Sequence, residues 1–373
     1  MDIYERLAEH LDKLPGGFWR TESGVEMRLL KRLFSLEEAG LAMHLTLIPE
    51  DARVVARRAR IPVAEAEARL DAMARKGLIV SLHPDEGPAQ YMATHFVVGI
   101  YEFQVDRLDE GLARDASEYL ELAPPEHWQR APQMRTIPVG ESIPQRLEVM
   151  PYEQAETLLG THEQFHVSPC ICRKKERILG GGCDKPLETC LAMGGAAEYY
   201  RRNGIGRAID REEALAILHQ ANEAGLVLQP GNTKNAGFIC CCCGDCCGVL
   251  QIAKRHPQPA SILVSSYYAE VDATVCSACG DCEFRCQMEA IAVDNGHACV
   301  DLNRCIGCGL CVTSCPEEAV TLVRKPEQLQ PVVPDSDVDL YISMLRARGV
   351  VNTPGLIKMQ VRSKVDRLLA SRH

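Results

Sequence analysis

The sequence predicts an α+β protein assembled from several domains, and three observations carry that prediction. Its 373 residues exceed what one domain usually holds. All 19 cysteines fall between Cys170 and Cys315. Apolar periodicity also changes along the chain, from helical spacing near the N-terminus to short runs beside the cysteines, then back to helical spacing near the C-terminus. A hydrophobic share of 46% with 25% charged residues is ordinary for a globular chain and excludes wholesale disorder. The balance of 41 basic against 51 acidic residues leaves a formal charge of -10, which disfavours nucleic acid or anionic membrane as a general partner.

Residues 1–104 form the first expected domain. Within residues 25–47, Leu29, Leu30, Leu33, Phe34, Leu36, Leu41 and Leu45 recur at helical spacing. Pro49-Glu50-Asp51 opens a second helix running to Ala59, because proline and acidic residues suit a helix N-terminus. The turn Arg60-Ile61-Pro62 leads to a third helix over residues 63–76, capped by Gly77. Residues 78–80 and 91–98 read as strands around a turn at 83–88. Three helices and a hairpin, with the segment ARKGLI, resemble the winged-helix family over residues 25–100. That resemblance implies DNA contact through the third helix. The charges argue otherwise: Glu65, Glu67 and Asp71 stand beside Arg69, Arg75 and Lys76, and the hairpin tip is Asp85-Glu86. Carboxylates facing phosphates oppose binding, so a docking module is expected and nucleic acid is not.

Residues 105–160 read as a connector of helix and loop that crosses the surface, interrupted by Pro124, Pro125, Pro132, Pro138, Pro144 and Pro151. Residues 326–373 read as a helical tail. After Pro326, Pro331 and Pro334, apolar spacing at Leu340, Ile342 and Leu345, then at Val361, Val365, Leu368 and Leu369, predicts two short packing helices.

The cysteines carry the chemistry. The opening Met1-Asp2-Ile3-Tyr4-Glu5 lacks the basic and apolar regions of a secretory leader, and no run approaches the roughly 18 apolar residues of a membrane span. A cytoplasmic protein with reduced, metal-ligating thiols is therefore expected.

Residues 266–325 hold the strongest motif. Cys276-x2-Cys279-x2-Cys282-x3-Cys286 is followed by Cys305-x2-Cys308-x2-Cys311-x3-Cys315-Pro316. This pair of runs resembles the bacterial-type two-cluster ferredoxin. In that family the first three cysteines of a run hold one cubane and the fourth holds the other. The resemblance implies one [4Fe–4S] cluster on Cys276, Cys279, Cys282 and Cys315, and a second on Cys305, Cys308, Cys311 and Cys286. Gly280, Gly307 and Gly309 suit backbone passing close to a cluster. Gln287 departs from the family's proline after the fourth cysteine. Interleaved runs of four disfavour a pair of zinc sites. Strands at 291–293 and 319–323 complete a βαββαβ unit, and Cys299 is expected to be a buried structural thiol.

Residues 161–265 are expected to be a mainly helical cysteine-rich region, with helices over 193–203 and 212–225. Cys170, Cys172, Cys183 and Cys190 form a C-x-C-x10-C-x6-C set beside Arg173, Lys174, Lys175, Arg177 and Lys185, which suits an anionic cluster. A third [4Fe–4S] cluster, a four-cysteine zinc site and unligated thiols remain open for it. Farther on, Cys240 to Cys243 are followed by Cys246 and Cys247, six thiols in eight positions and too many for one cubane. A fourth site using Cys240, Cys242, Cys243, Cys246 and Cys247 competes with a single site completed from the 170–190 set. The triplets Cys242-Cys243-Gly244 and Cys246-Cys247-Gly248 resemble the cysteine-rich domains of heterodisulfide-reductase-type proteins. His162 and His166 read as packing or surface residues, and no complete G-x-G-x-x-G supports a nucleotide.

The expected function is electron relay through ferredoxin-type clusters, and one or two more, to a partner oxidoreductase. Two alternatives stand beside it. One is a cluster-dependent reductase of a disulfide or similar substrate, and the other is a redox-sensing DNA-binding regulator.

Overall fold

The computed structural model describes residues 2–130, 132–143 and 149–370, so Pro144 lies outside the described residues. The chain divides into two compact units. The first comprises residues 1–122, 199–205 and 341–373, and the second residues 123–198 and 206–340.

In the first unit, α1 (Ile3–Asp12) precedes α2 (Val25–Leu33) and α3 (Leu36–Ala42). The periodicity over residues 25–47 is thus split in two. Ser35 breaks the helix and caps the next one, accepting from the Glu38 N–H while the Glu38 carboxylate accepts from the Ser35 N–H. β1 (Glu50–Asp51) and α4 (Ala52–Ala59) follow, Asp51 capping α4 by accepting from the Arg53 N–H. Next comes α5 (Val63–Arg75), closed by Gly77 at φ +73°, where a side chain would be strained. β2 (Val80–Leu82) and β3 (Gln90–Met92) then form a three-stranded sheet in the order β1-β3-β2. The strand β1 was not expected, because two residues carry no periodicity. The charges on α5 are engaged within the unit: Arg69 pairs with Glu65 at 2.6 Å, and Asp71 accepts from the Tyr91 hydroxyl at 2.7 Å.

α6 (Glu110–Glu121) buries Leu112, Ala113, Ala116 and Tyr119 in the core of this unit. Residues 133–139 are also buried, in the second unit, where Ile137 bridges Leu228 and the Val139 N–H donates to the Cys308 carbonyl at 3.0 Å. The stretch 105–160 is therefore not a surface connector. Its prolines interrupt helices without preventing extended backbone from threading a core.

The second unit continues through α7 (Pro125–Arg130) and α8 (Ala155–Gly160) to a five-stranded antiparallel sheet. Its elements are β4 (Phe165–Pro169), α9 (Ile171–Ile178), β5 (Glu188–Met193), the start of α10 (Gly195–Asn203, which from Tyr199 belongs to the first unit), β6 (Arg207–Ile209), α11 (Arg211–Glu223), β7 (Val227–Pro230), β8 (Phe238–Cys242) and α12 (Gly248–Lys254), with strand order β6-β4-β5-β8-β7. The α+β class holds, and helices take up more of this region than strands do, but the five-stranded sheet at its centre was not expected. Strands such as FHVSP and FICCC are short and poor in β-branched residues, so they carry little strand signal.

The 266–325 segment adds β9 (Tyr267–Val271), α13 (Asp281–Arg285), β10 (Ile291–Asp294), β11 (His297–Val300) and β12 (Val320–Arg324). β9 pairs with β12 and β10 with β11, so first and last strands join and the two halves close on each other. Both halves share one backbone, offset by 29 residues from Cys276 to Cys305. Ala278 and Gly307 both have positive φ, as do Gly280 and Gly309, and Glu289 and Glu318. Turns stand where a second helix was expected.

The chain ends with α14 (Asp337–Ala347) and α15 (Thr353–Ala370). α15 does not pack through its apolar positions. Val361, Val365 and Leu368 are exposed, while buried Ser363 and Asp366 bond Glu50 at 2.6 Å and Arg58 at 2.7 Å.

Candidate metal centre

Two cavities in the 266–325 segment are each ringed by four thiols. Cys276, Cys279, Cys282 and Cys315 line one, with Ala278 and Gly280. Cys286, Cys305, Cys308 and Cys311 line the other, with Gly307 and Gly309. Each cavity thus takes three cysteines from one run and the last from the other. The local cause is the x2-x2-x3 spacing, which winds a loop through positive-φ residues, while the fourth cysteine follows the turn that crosses to the other half.

Backbone N–H groups point at the sulfurs in matching pairs. Ala298 donates to Cys276 at 3.4 Å and Ala269 to Cys305 at 3.4 Å. Ala319 donates to Cys315 at 3.2 Å and Ala290 to Cys286 at 3.2 Å. Gly307 is needed for space, since a Cβ there would lie 2.2 Å from the Tyr267 carbonyl oxygen. A Cβ at Gly280 would meet nothing within 4 Å, so its φ of +87° is what favours glycine.

The two rings differ in exposure. Cys279 is exposed, whereas Cys305 and Cys311 are buried. Burial, reinforced by neighbouring thiolates, pushes Cys308 up to about 12 and raises Cys305 and Cys311. Such thiols ionise only where a cationic core compensates them. The donor set therefore suits an iron–sulfur core. Cys299 is exposed rather than buried: on β11 the side chains alternate, and Ala298 faces inward.

The remaining thiols gather at the sheet, in a division the sequence did not indicate. Cys190 on β5 stands directly opposite Cys240 on β8, and the two-residue period puts Cys242 on that same face. Cys170 precedes α9 and Cys172 lies in its first turn, while Cys247 caps α12. Neighbouring thiols run in the order Cys170, Cys172, Cys247, Cys242, Cys240 and Cys190. Thiols donating from Cys172 and Cys242 hold Cys247 down at about 5, and those of Cys190 and Cys242 hold Cys240 well below the usual thiol range. Cys241 points to the opposite face of β8, where burial pushes its thiol up.

The C-x-C-x10-C-x6-C set is therefore not one site. The Gly180–Gly182 turn, with Gly180 at φ +83° and Gly182 at φ +94°, carries Cys183 away from its companions. It meets Cys243 at 3.7 Å and Cys246 at 3.7 Å instead. The adjacent triplets Cys242-Cys243-Gly244 and Cys246-Cys247-Gly248 are split the same way, outer cysteines to the six-thiol group and inner ones to Cys183.

Two buried polar residues attend these thiols. Arg173 is fully buried, with Nη1 3.1 Å from the Cys241 carbonyl oxygen and 3.8 Å from the Cys243 sulfur, and Nη2 bonded to the Thr189 hydroxyl. No carboxylate pairs with it among the described residues. Gln229, opposite Cys240 on β7, is also fully buried, and neither its amide nitrogen nor its oxygen has a partner. Sequence reasoning missed Gln229, for only sheet register brings it here. His162 bonds the Ala236 carbonyl at 3.1 Å, and His166 is a buried residue of β4.

Gln287 joins the two regions. Its Oε1 accepts from the Gly244 N–H at 2.7 Å, so the residue after Cys286 touches the residue after Cys243. Arg285 adds a bond to the Glu223 carbonyl at 2.8 Å. A proline at 287 would have no side chain to accept from Gly244.

The 4Fe–4S binding domain family matches residues 298–321, which contain the second cysteine run. The chain thus carries a ferredoxin-type 4Fe–4S binding domain. Comparison with curated proteins and with solved structures returned no match. No helix among the described residues is long and apolar enough to cross a membrane.

Proposed function

We propose that this protein relays electrons from a partner docked at the exposed thiol ring to the buried thiols at the five-stranded sheet. Cys276, Cys279, Cys282 and Cys315 hold one [4Fe–4S] cluster, and Cys286, Cys305, Cys308 and Cys311 hold a second. Bound there, the clusters supply one-electron exchange at nearly constant ligand geometry. The chain itself supplies thiolate ligands, N–H donors aimed at sulfur, and a graded burial from Cys279 to Cys305. Further iron–sulfur binding falls to the six thiols around Cys240, where the unpartnered amide nitrogen of Gln229 is a donor suited to cluster sulfur.

The Gln287–Gly244 bond is the observation that carries this reading, because it puts the inner ring in covalent and hydrogen-bonded continuity with the sheet thiols. The test starts with iron and acid-labile sulfide in protein purified without air. Two cubanes give about eight of each, and a further cubane raises both to about twelve. Rapid reduction of Gln287→Pro should then fill the ferredoxin sites normally and the sheet site slowly. Protein without iron would refute the reading, as would unchanged filling of both sites in the variant.

A reductase is the second reading. The lowered Cys247 thiol favours it: its thiolate attacks one sulfur of a substrate disulfide and expels the other as a thiolate. The neighbouring Cys242 thiol, losing its proton, then displaces the first, leaving a Cys242–Cys247 disulfide that two electrons from the clusters reduce again. A substrate-dependent change in the reduced protein's EPR spectrum would select it. The first domain serves as a docking module, because Arg69 on α5 is already paired and Asp71 is committed to Tyr91.

A further inference from the structure

Cys183, Cys243 and Cys246 stand apart from every other thiol group. Their sulfurs all lie within 4.8 Å of one another, and no other three thiol, imidazole or carboxylate groups do so among the described residues. Neither ferredoxin-type ring, nor the six thiols around Cys240, contains such a triplet. The contrast separates two kinds of metal chemistry. Thiolates on a cubane each bind a different iron and are held apart by the cluster. Thiolates on one tetrahedral ion share a centre, and with zinc–sulfur bonds of about 2.3 Å their sulfurs stand about 3.8 Å apart. The observed separations are 3.7 Å from Cys183 to Cys243 and 3.7 Å from Cys183 to Cys246.

The geometry points to a mononuclear zinc-type site formed by Cys183, Cys243 and Cys246, with the fourth tetrahedral position left to a water or small exogenous ligand. Cys243-x2-Cys246 has the chelating spacing common in such sites, supplied by the turn after β8. Three thiolates and a divalent ion leave one negative charge. Arg173, buried without a carboxylate partner and 3.8 Å from the Cys243 sulfur, neutralises it. A soft, all-sulfur donor set selects zinc over harder divalent ions. Cys183 is half-buried while Cys243 and Cys246 are buried, so an exogenous ligand reaches the open position from the Cys183 side. Gly182 allows the turn that brings Cys183 here, for its φ is +94° and a Cβ there would lie 2.9 Å from the Glu176 Cβ. Closed structural sites use four protein ligands, and three with a vacancy is the arrangement of zinc that binds or activates a ligand.

This site is independent of the electron-relay reading, and element-specific measurements keep the two apart. Full-length protein purified without air should contain about one zinc per chain alongside its iron. X-ray absorption at the zinc edge should show three sulfurs at about 2.3 Å and one lighter atom. Adding 2-mercaptoethanol should convert that shell to four sulfurs. Cys183→Ser should lose the zinc and retain all the iron, which also shows that the variant is folded. Absence of zinc, or loss of four irons in Cys183→Ser, would overturn the site. A four-sulfur shell before thiol is added, or no change after it, would overturn the open position. Should the variant fail to fold, the zinc content and absorption edge of the unaltered chain decide the question alone.

Discussion

Replacing Arg173 with methionine tests whether the buried thiols carry negative charge. The new side chain is similar in length and apolar, so packing changes little and the lost charge dominates. The guanidinium is fully buried, and it satisfies the Cys241 carbonyl, the Thr189 hydroxyl and the Cys243 sulfur. Removing one member of a buried charge pair costs about 3–5 kcal/mol, because the other charge stays behind uncompensated. Each orphaned acceptor costs about 1–3 kcal/mol by itself. These costs share one side chain and do not add, so a loss of about 3–5 kcal/mol is the expectation. For a unit of this size that corresponds to a fall in Tm of roughly 6–20 °C. The assay is anaerobic thermal denaturation with metal analysis on the same sample. Thr189→Val, which keeps the cation, should cost about 1 kcal/mol and retain metal. An Arg173→Met protein that melts with the parent and keeps its metals would refute an anionic thiol centre.

Three further outcomes are expected. Gly307→Ala should lose about half the ferredoxin-type iron and sulfide. Positive φ is not the obstacle, since Ala278 adopts φ 58° at the matching position; the Tyr267 carbonyl is, at 2.2 Å from the new Cβ, and Ala278→Gly should leave both counts unchanged. Cys299→Ser should change neither iron nor zinc, because that thiol is exposed on β11; lost iron would place it among the ligands. Burial holds His95 down at about 4, against about 6.5 unfolded, so the unfolded chain binds more protons between these values. His95 therefore contributes stability fully above pH 6.5 that is lost as pH falls towards 4. Comparing Tm across that window, His95→Gln should have a shallower slope than the parent, and equal slopes would exclude His95 as a source.

The ferredoxin-type cysteines were legible because their geometry is local. Three thiols spaced by two residues must turn around one centre, and the family match at 298–321 rests on that same short run. The helices of residues 25–76 were legible from periodicity and caps, although Ser35 divides the first of them. The six-thiol group was not, since register across β5 and β8 sets Cys190 opposite Cys240. Strands of five or six residues rich in cysteine give little signal of their own.

Cysteine spacing, through its resemblance to the ferredoxin family, identified a 4Fe–4S binding domain, for a tight loop of thiols is written into neighbouring residues. Only the folded sheet decided which of the other thiols meet. Alternation along β8 turns Cys241 from Cys240 and Cys242, and the glycine turn after α9 delivers Cys183 to Cys243 and Cys246. Both arrangements depend on contacts between residues some sixty positions apart (183 and 243), whose approach is governed by strand pairing and core packing rather than by any local pattern.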